Sequence, residues 1–174
     1  MTMTFRPLRT LLSASALVAS CATTSVENAH TSLPSGTPDF TLRDLTGAPV
    51  SLSDFAGKKV IVLDFWATWC HPCTAELVHL QALYTKYRDR GLIVIGVAMD
   101  DPQTMANVAP FARERGLTFP VLIDFESKAV SHYNPKRSAP FTVLLDRQGS
   151  IVSAHSGFAP GDETALEAAV KKLL

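Results

Sequence analysis

Cys70 and Cys73 are the residues in this chain whose type and spacing point most directly to chemistry. They stand in Trp66-Ala67-Thr68-Trp69-Cys70-His71-Pro72-Cys73, directly after the apolar run Val60-Ile61-Val62-Leu63-Asp64-Phe65. A strand that runs into Cys-x-x-Cys and opens a helix sets two thiols about one turn apart, close enough to form a disulfide without backbone movement. The first thiol would sit among the unpaired amides of a helix N-terminus, where the dipole favours a thiolate. That arrangement suits reversible dithiol–disulfide exchange.

The third cysteine has a different setting. Arg6 and Arg9 precede Thr10-Leu11-Leu12-Ser13-Ala14-Ser15-Ala16-Leu17-Val18, which is apolar or small throughout. A positive start and an apolar stretch too short to span a bilayer read as a secretory signal, here residues 1–21. Its end, Val18-Ala19-Ser20-Cys21, resembles the lipobox of bacterial lipoproteins, in which cleavage precedes the cysteine and lipid is attached to it. The resemblance implies a lipid anchor at Cys21 and a place in the periplasm or on the extracytoplasmic membrane face. Ordinary cleavage near Ser20-Cys21-Ala22 would instead leave an exported soluble protein. With Cys21 consumed, the chain's three cysteines leave one vicinal pair. A lone vicinal pair in an exported protein is a working part and not a scaffold.

Composition adds little and excludes some partners. Sixteen basic and sixteen acidic residues give a formal net charge of zero, so neither nucleic acid nor an electrostatic membrane surface is indicated. Removal of residues 1–21 would take away Arg6 and Arg9 and no acid, leaving a mildly negative chain. The 174 residues allow one domain with a sizeable core. Residues 22–37 are small and polar without apolar period and read as a tether reaching roughly 20 Å.

The elements that must position the cysteines lie in residues 38–174. Pro38–Leu42 and Val50–Leu52 around a turn at Leu45–Ala48 suggest a β-hairpin. Val60–Phe65 and Leu92–Ala98 are continuous apolar runs expected of central strands. Thr74–Arg90 between them predicts a helix, with Leu77, Leu80, Tyr84 and Tyr87 on its apolar face and Gly91 ending it. Further helices are expected over Asp101–Arg115 and Glu126–His132, with a short strand at Phe119–Ile123. Phe141–Leu145 and Ile151–Ala154 flank a hairpin turn, and Asp162 is expected to cap a last helix with Leu166, Ala169, Val170 and Leu173 on one face.

This order resembles the thioredoxin fold: an α/β domain with a central mixed sheet flanked by helices, an N-terminal β-hairpin and a central helical insert. The stretch Phe65–Cys73, the leader Pro38-Asp39-Phe40-Thr41-Leu42 and the loop Ser138-Ala139-Pro140-Phe141-Thr142 are similar to the TlpA/ResA branch of thioredoxin-like proteins. The resemblance implies that Cys70, beside Trp69, is the attacking thiol and that Cys73 resolves the mixed disulfide. It implies a cis peptide before Pro140, with Ala139 and its neighbours offering backbone to an extended substrate. Pro72 restricts the backbone between the cysteines.

Two acids carry a possible proton role. Asp64, near the end of a buried strand, aligns with the buried acid of thioredoxins, and Glu76, a turn after Cys73, with an acid of the TlpA/ResA branch. Either carboxyl, if buried, would have a raised pKa and could exchange a proton with Cys73. Their alternatives are a strand-end residue reaching water and a solvated first-turn acid. His71, when protonated, can stabilise the Cys70 thiolate and make the pair more oxidising. His30, His79, His132 and His155 read as surface or packing residues.

Rival chemistries are weaker. A structural zinc site needs four ligands, which no second cysteine pair or paired histidines complete, so no metal and no cofactor beyond the Cys70–Cys73 disulfide is expected. The leader and fold also resemble peroxiredoxins of the AhpC/TSA class, but Pro-x-x-x-Thr-x-x-Cys is absent: Leu63 and Ala67 hold those places before Cys70, and Trp66 and Cys70 before Cys73. A lipid-anchored binding module with a merely structural disulfide is the non-enzymatic alternative. The reading is a thiol–disulfide oxidoreductase acting on protein thiols and disulfides. Its expected direction is reduction of exported proteins, as in cytochrome c maturation, with a membrane thiol donor. A periplasmic dithiol oxidase is the variant.

Overall fold

The computed structural model describes residues 1–2 and 33–174. The signal-like segment, Cys21, His30 and most of the tether lie outside the described residues. Leu33, within the segment read as a tether, already packs against the core on one face of the sheet.

Seven strands form one mixed sheet in the order β2-β1-β5-β4-β3-β6-β7. β1 (Thr41–Asp44) and β2 (Pro49–Ser51) make the N-terminal hairpin. Asp44 folds its turn, its carboxylate accepting from the amides of Thr46 and Ala48 at 2.8 and 2.9 Å. β3 (Val60–Trp66) and β4 (Leu92–Ala98) run parallel at the centre, joined by α1 (His71–Tyr87). Both strands are buried along their whole length, so both faces must be apolar. Alternation does the sorting: Val60, Val62, Trp66 and Val94 enter the core beneath α1, and Ile61, Leu63, Phe65 and Ile95 enter the opposite one.

Asp64 and Gly96 interrupt this pattern, and they sit directly opposite each other in the β3–β4 register. Gly96 is required by its surroundings. A Cβ there would lie 2.9 Å from the Trp66 indole nitrogen and 3.1 Å from the Phe119 ring. Gly96→Ala is therefore expected to cost about 1–3 kcal/mol of stability, the usual penalty of overpacking, read as a lower urea midpoint at unchanged slope.

α1 begins three residues before the predicted start. Cys70 is the N-cap and its sulfur accepts from the Cys73 amide at 3.2 Å, while Pro72 falls in the first turn where no amide is needed. Its far end tightens into a 3₁₀ turn over Arg88–Arg90, and Gly91 closes it at φ 108°. The helix expected over Asp101–Arg115 is shorter, α2 (Val108–Glu114). Pro110 cannot donate to a preceding turn, and the Asp101 carboxylate draws the amides of Gln103 and Thr104 into a local turn instead. β5 (Val121–Ile123) follows Pro120 and pairs with β4 and β1, so the hairpin joins the main sheet.

α3 (Lys128–Tyr133) leads to β6 (Phe141–Leu145) and the edge strand β7 (Ile151–Ser156). α4 (Asp162–Leu173) closes the chain. Of the face expected to be buried on α4, only Val170 is fully enclosed; Leu166, Ala169 and Leu173 are partly covered. The helix stands off the sheet over a cavity of about 440 Å3. Gly161 takes the N-cap position assigned above to Asp162, whose carboxylate instead accepts from the Ala159 amide at 2.7 Å.

Candidate active site

β3 carries the chain to the edge of the core and releases it as the turn 67–70. Two backbone amides hold that turn: the Cys70 amide donates to the Ala67 carbonyl, and the Thr68 amide to the Asp100 carboxylate, both at 3.0 Å. The Thr68 hydroxyl donates to the other Asp100 oxygen, so a buried acid just beyond β4 fixes the entry to the cysteine pair. Cys70 and Cys73 are joined as a disulfide with Cα atoms 5.4 Å apart. Cys70 is 4% exposed and Cys73 is fully buried. Cys70 thus keeps a little exposed surface and Cys73 none, the asymmetry expected of an attacking and a resolving thiol.

Trp69, His71 and Pro72 are exposed around the pair, Trp69 to 62%. The loop before β6 reaches the same end of the sheet, because Phe141 pairs with Phe65 at the end of β3. The Ala139–Pro140 peptide is cis, and Ala139 packs against the core that contains both cysteines. Asn134 clamps this loop, accepting from the Ser138 amide at 3.0 Å and donating to its carbonyl at 2.8 Å.

Asp64 and Glu76 are both buried and close enough to act on each other. The water-facing alternatives for both are therefore wrong. Neither Asp64 oxygen has a hydrogen-bond partner among the described residues. Burial, reinforced by the neighbouring Glu76 carboxylate, pushes Asp64 well above the usual carboxylate range. Glu76 is also raised by burial, but the Thr142 hydroxyl donates to one of its oxygens and opposes that shift. Thr142 is thus what separates the two acids: Asp64 is the better proton holder and Glu76 the better carboxylate.

Three residues of this site escaped the sequence reading. Asp100, Asn134 and Thr142 are polar side chains in or beside apolar runs. Their signal was that a buried polar group needs a partner, but the sequence does not show which partner. His155 on β7 is exposed, as a surface residue should be, pairs directly with Thr142 in register and lies 3.1 Å from the Asp162 carboxylate. Among the described residues no cluster of three or more His, Cys, Asp or Glu is arranged to hold a metal ion.

The chain matches the AhpC/TSA family over residues 35–154. It is 37% identical over 131 residues to the thiol-disulfide oxidoreductase ResA of Geobacillus kaustophilus, covering 75% of this chain and 73% of that protein. A Chlorobium tepidum structure assigned as a thiol:disulfide interchange protein DsbE superposes with a TM-score of 0.72 at 34% identity, covering 82% of this chain and 99% of its own. A secreted Mycobacterium tuberculosis disulfide oxidoreductase follows at 0.66 and 25% identity, covering 77% and 96%. The thioredoxin fold and the Cys70–Cys73 disulfide agree with these relatives. The chain belongs to the AhpC/TSA family and, within it, to the ResA-like thiol–disulfide oxidoreductases.

Proposed function

We propose that this oxidoreductase works as an extracytoplasmic reductase of protein disulfides. Cys70 attacks, Cys73 resolves, and Pro140 with Ala139 forms the ledge on which an extended substrate lies. The observation that carries the direction is the environment of Cys73. Cys73 is fully buried, with Glu76 one turn further along α1, and burial disfavours a thiolate there, which withholds stabilisation from the reduced form and makes the pair a better electron donor. His71 pulls the other way, but it is an exposed residue on the first turn. The substrate class we favour is the haem-attachment cysteine pair of exported apocytochromes, with electrons from a membrane thiol donor. Export and a lipid anchor at Cys21 rest on Arg6, Arg9 and Val18-Ala19-Ser20-Cys21.

Equilibration of the Cys70–Cys73 pair with glutathione tests the direction. A potential near that of thioredoxin, about −270 mV, is expected; a value near about −120 mV, that of the strongest oxidant, would make the protein a dithiol oxidase and overturn the proposal. Hydrogen peroxide consumption should stay at background, since neither cysteine has the peroxiredoxin surroundings.

A further inference from the structure

Four residues from four strands form one transverse row. Gly96, Asp64, Thr142 and His155 are successive register partners across β4, β3, β6 and β7. Directly paired residues point to the same face of a sheet. The row therefore starts in the apolar centre, at Asp64, and ends about 10 Å away at the sheet edge, two strand spacings on. His155 is 58% exposed there, beside Asp162 at 33%. Glu76 joins the row from α1 above, through the Thr142 hydroxyl.

The cavity under α4 follows the same line. Glu76, Thr142, His155 and Asp162 all line it, with the rings of His79 and Phe158 tilted against each other beside them, centroids 5.4 Å apart. At about 440 Å3 it has room for several waters. One Glu76 oxygen is buried without a partner among the described residues. Other charged groups of the lining are engaged elsewhere: Lys86 pairs with Glu167 at 2.7 Å, and Glu163 turns back to accept from the Gly161 amide at 2.9 Å. The charges left facing Glu76 are Asp64 from β3, His155 from β7 and Asp162 from α4, with His79 from its own helix.

During resolution the Cys73 thiol loses its proton and attacks the mixed disulfide on Cys70. The Cys70–substrate S–S bond breaks, the Cys70–Cys73 bond forms, and the substrate sulfur leaves with the electron pair and is protonated. At that moment substrate covers the Cys70 side, so the Cys73 proton needs another way out. We propose that the groove between α1, β7 and α4 is this exit: the proton passes from Cys73 to the Glu76–Asp64 pair and leaves past His155, with His155 and Asp162 as positioning residues. The inference rests on the reading that these acids take the Cys73 proton.

The test is the pH profile of insulin reduction by His155→Gln, Asp162→Asn and Glu76→Gln proteins. Imidazolium at His155 favours the Glu76 carboxylate and Asp162 opposes it. The acid limb should therefore move to higher pH in His155→Gln and to lower pH in Asp162→Asn. Added imidazole should restore the His155→Gln rate and leave the wild type unaffected. Unshifted limbs in both variants, with Glu76→Gln altered, would overturn the exit and keep the acids' role. A uniform loss at every pH, or shifts in one direction, would assign both residues to structure alone and also overturn it. An unaltered Glu76→Gln profile would remove the underlying reading itself.

Discussion

Cys70→Ser is expected to abolish disulfide reduction, whereas Cys73→Ser is expected to stall as a covalent adduct with substrate. The two cysteines are three residues apart but have different access. Cys70 reaches the surface and caps α1, where its sulfur already accepts the Cys73 amide. The same amide and the helix dipole stabilise a thiolate once the disulfide opens. A serine hydroxyl is not ionised near neutral pH, so turnover should fall by more than about 10³-fold, as when a covalent nucleophile is lost. Cys73 has no exposed surface and cannot replace it. Its loss leaves the first attack intact and removes the second. Insulin turbidity measures the turnover. Mass spectrometry of Cys73→Ser after incubation with substrate should find the adduct on Cys70. Sustained turnover by Cys73→Ser would show that an outside thiol resolves the intermediate.

Asp64→Asn is expected to stabilise the oxidised protein, and increasingly so as pH rises from about 4. Asp64 is buried without a partner, and its folded pKa lies well above the unfolded one. Below the unfolded value of 3.8 both states are protonated and the acid costs nothing through ionisation. Above it the unfolded chain gives up its proton while the folded chain keeps it. Wild-type stability then falls by about 1.4 kcal/mol per pH unit until the folded pKa is passed. Asparagine has the same shape and never carries this penalty. Urea midpoints at pH 4, 6 and 8 should separate progressively, the variant being the more stable. A constant difference, or a less stable variant at pH 8, would place a partner on the Asp64 carboxylate. The same substitution should slow reduction, because the proton exit proposed for Cys73 then loses the carboxyl with which Glu76 shares the proton. A buried acid that weakens the fold while aiding the reaction is the pattern expected of a functional group.

Trp66–Cys73 with the strand before it identified the reaction from sequence, because the chemistry of a Cys-x-x-Cys pair is local. Three residues and one helical turn set the distance between the sulfurs, whatever else surrounds them. The central strands were legible for a similar reason, since Val60–Phe65 and Leu92–Ala98 are apolar at every position that both faces must bury. The cysteines were rightly read at the opening of α1, and only the range begun at Thr74 fell three residues short, because a cysteine sulfur acting as N-cap is not a usual helix signal. The length of α2 was missed because Asp101 folds a local turn of its own and because Pro110, in the first turn of α2, cannot donate to a turn before it.

What only the tertiary structure decided is where the polar groups meet. Asp64, Thr142 and His155 come from separate strands, and the register of β3, β6 and β7 alone brings them into one row, which Glu76 joins from α1 through the Thr142 hydroxyl. Register depends on which strands become neighbours, and no local pattern states that for residues so far apart in the chain. Nor could the sequence show that α4 stands off the sheet, since its apolar face promised close packing. The amino-acid sequence by itself determined that two sulfurs exchange electrons. The fold decided which cysteine keeps exposed surface, which acid lacks a partner among the described residues, and which groups line the cavity under α4.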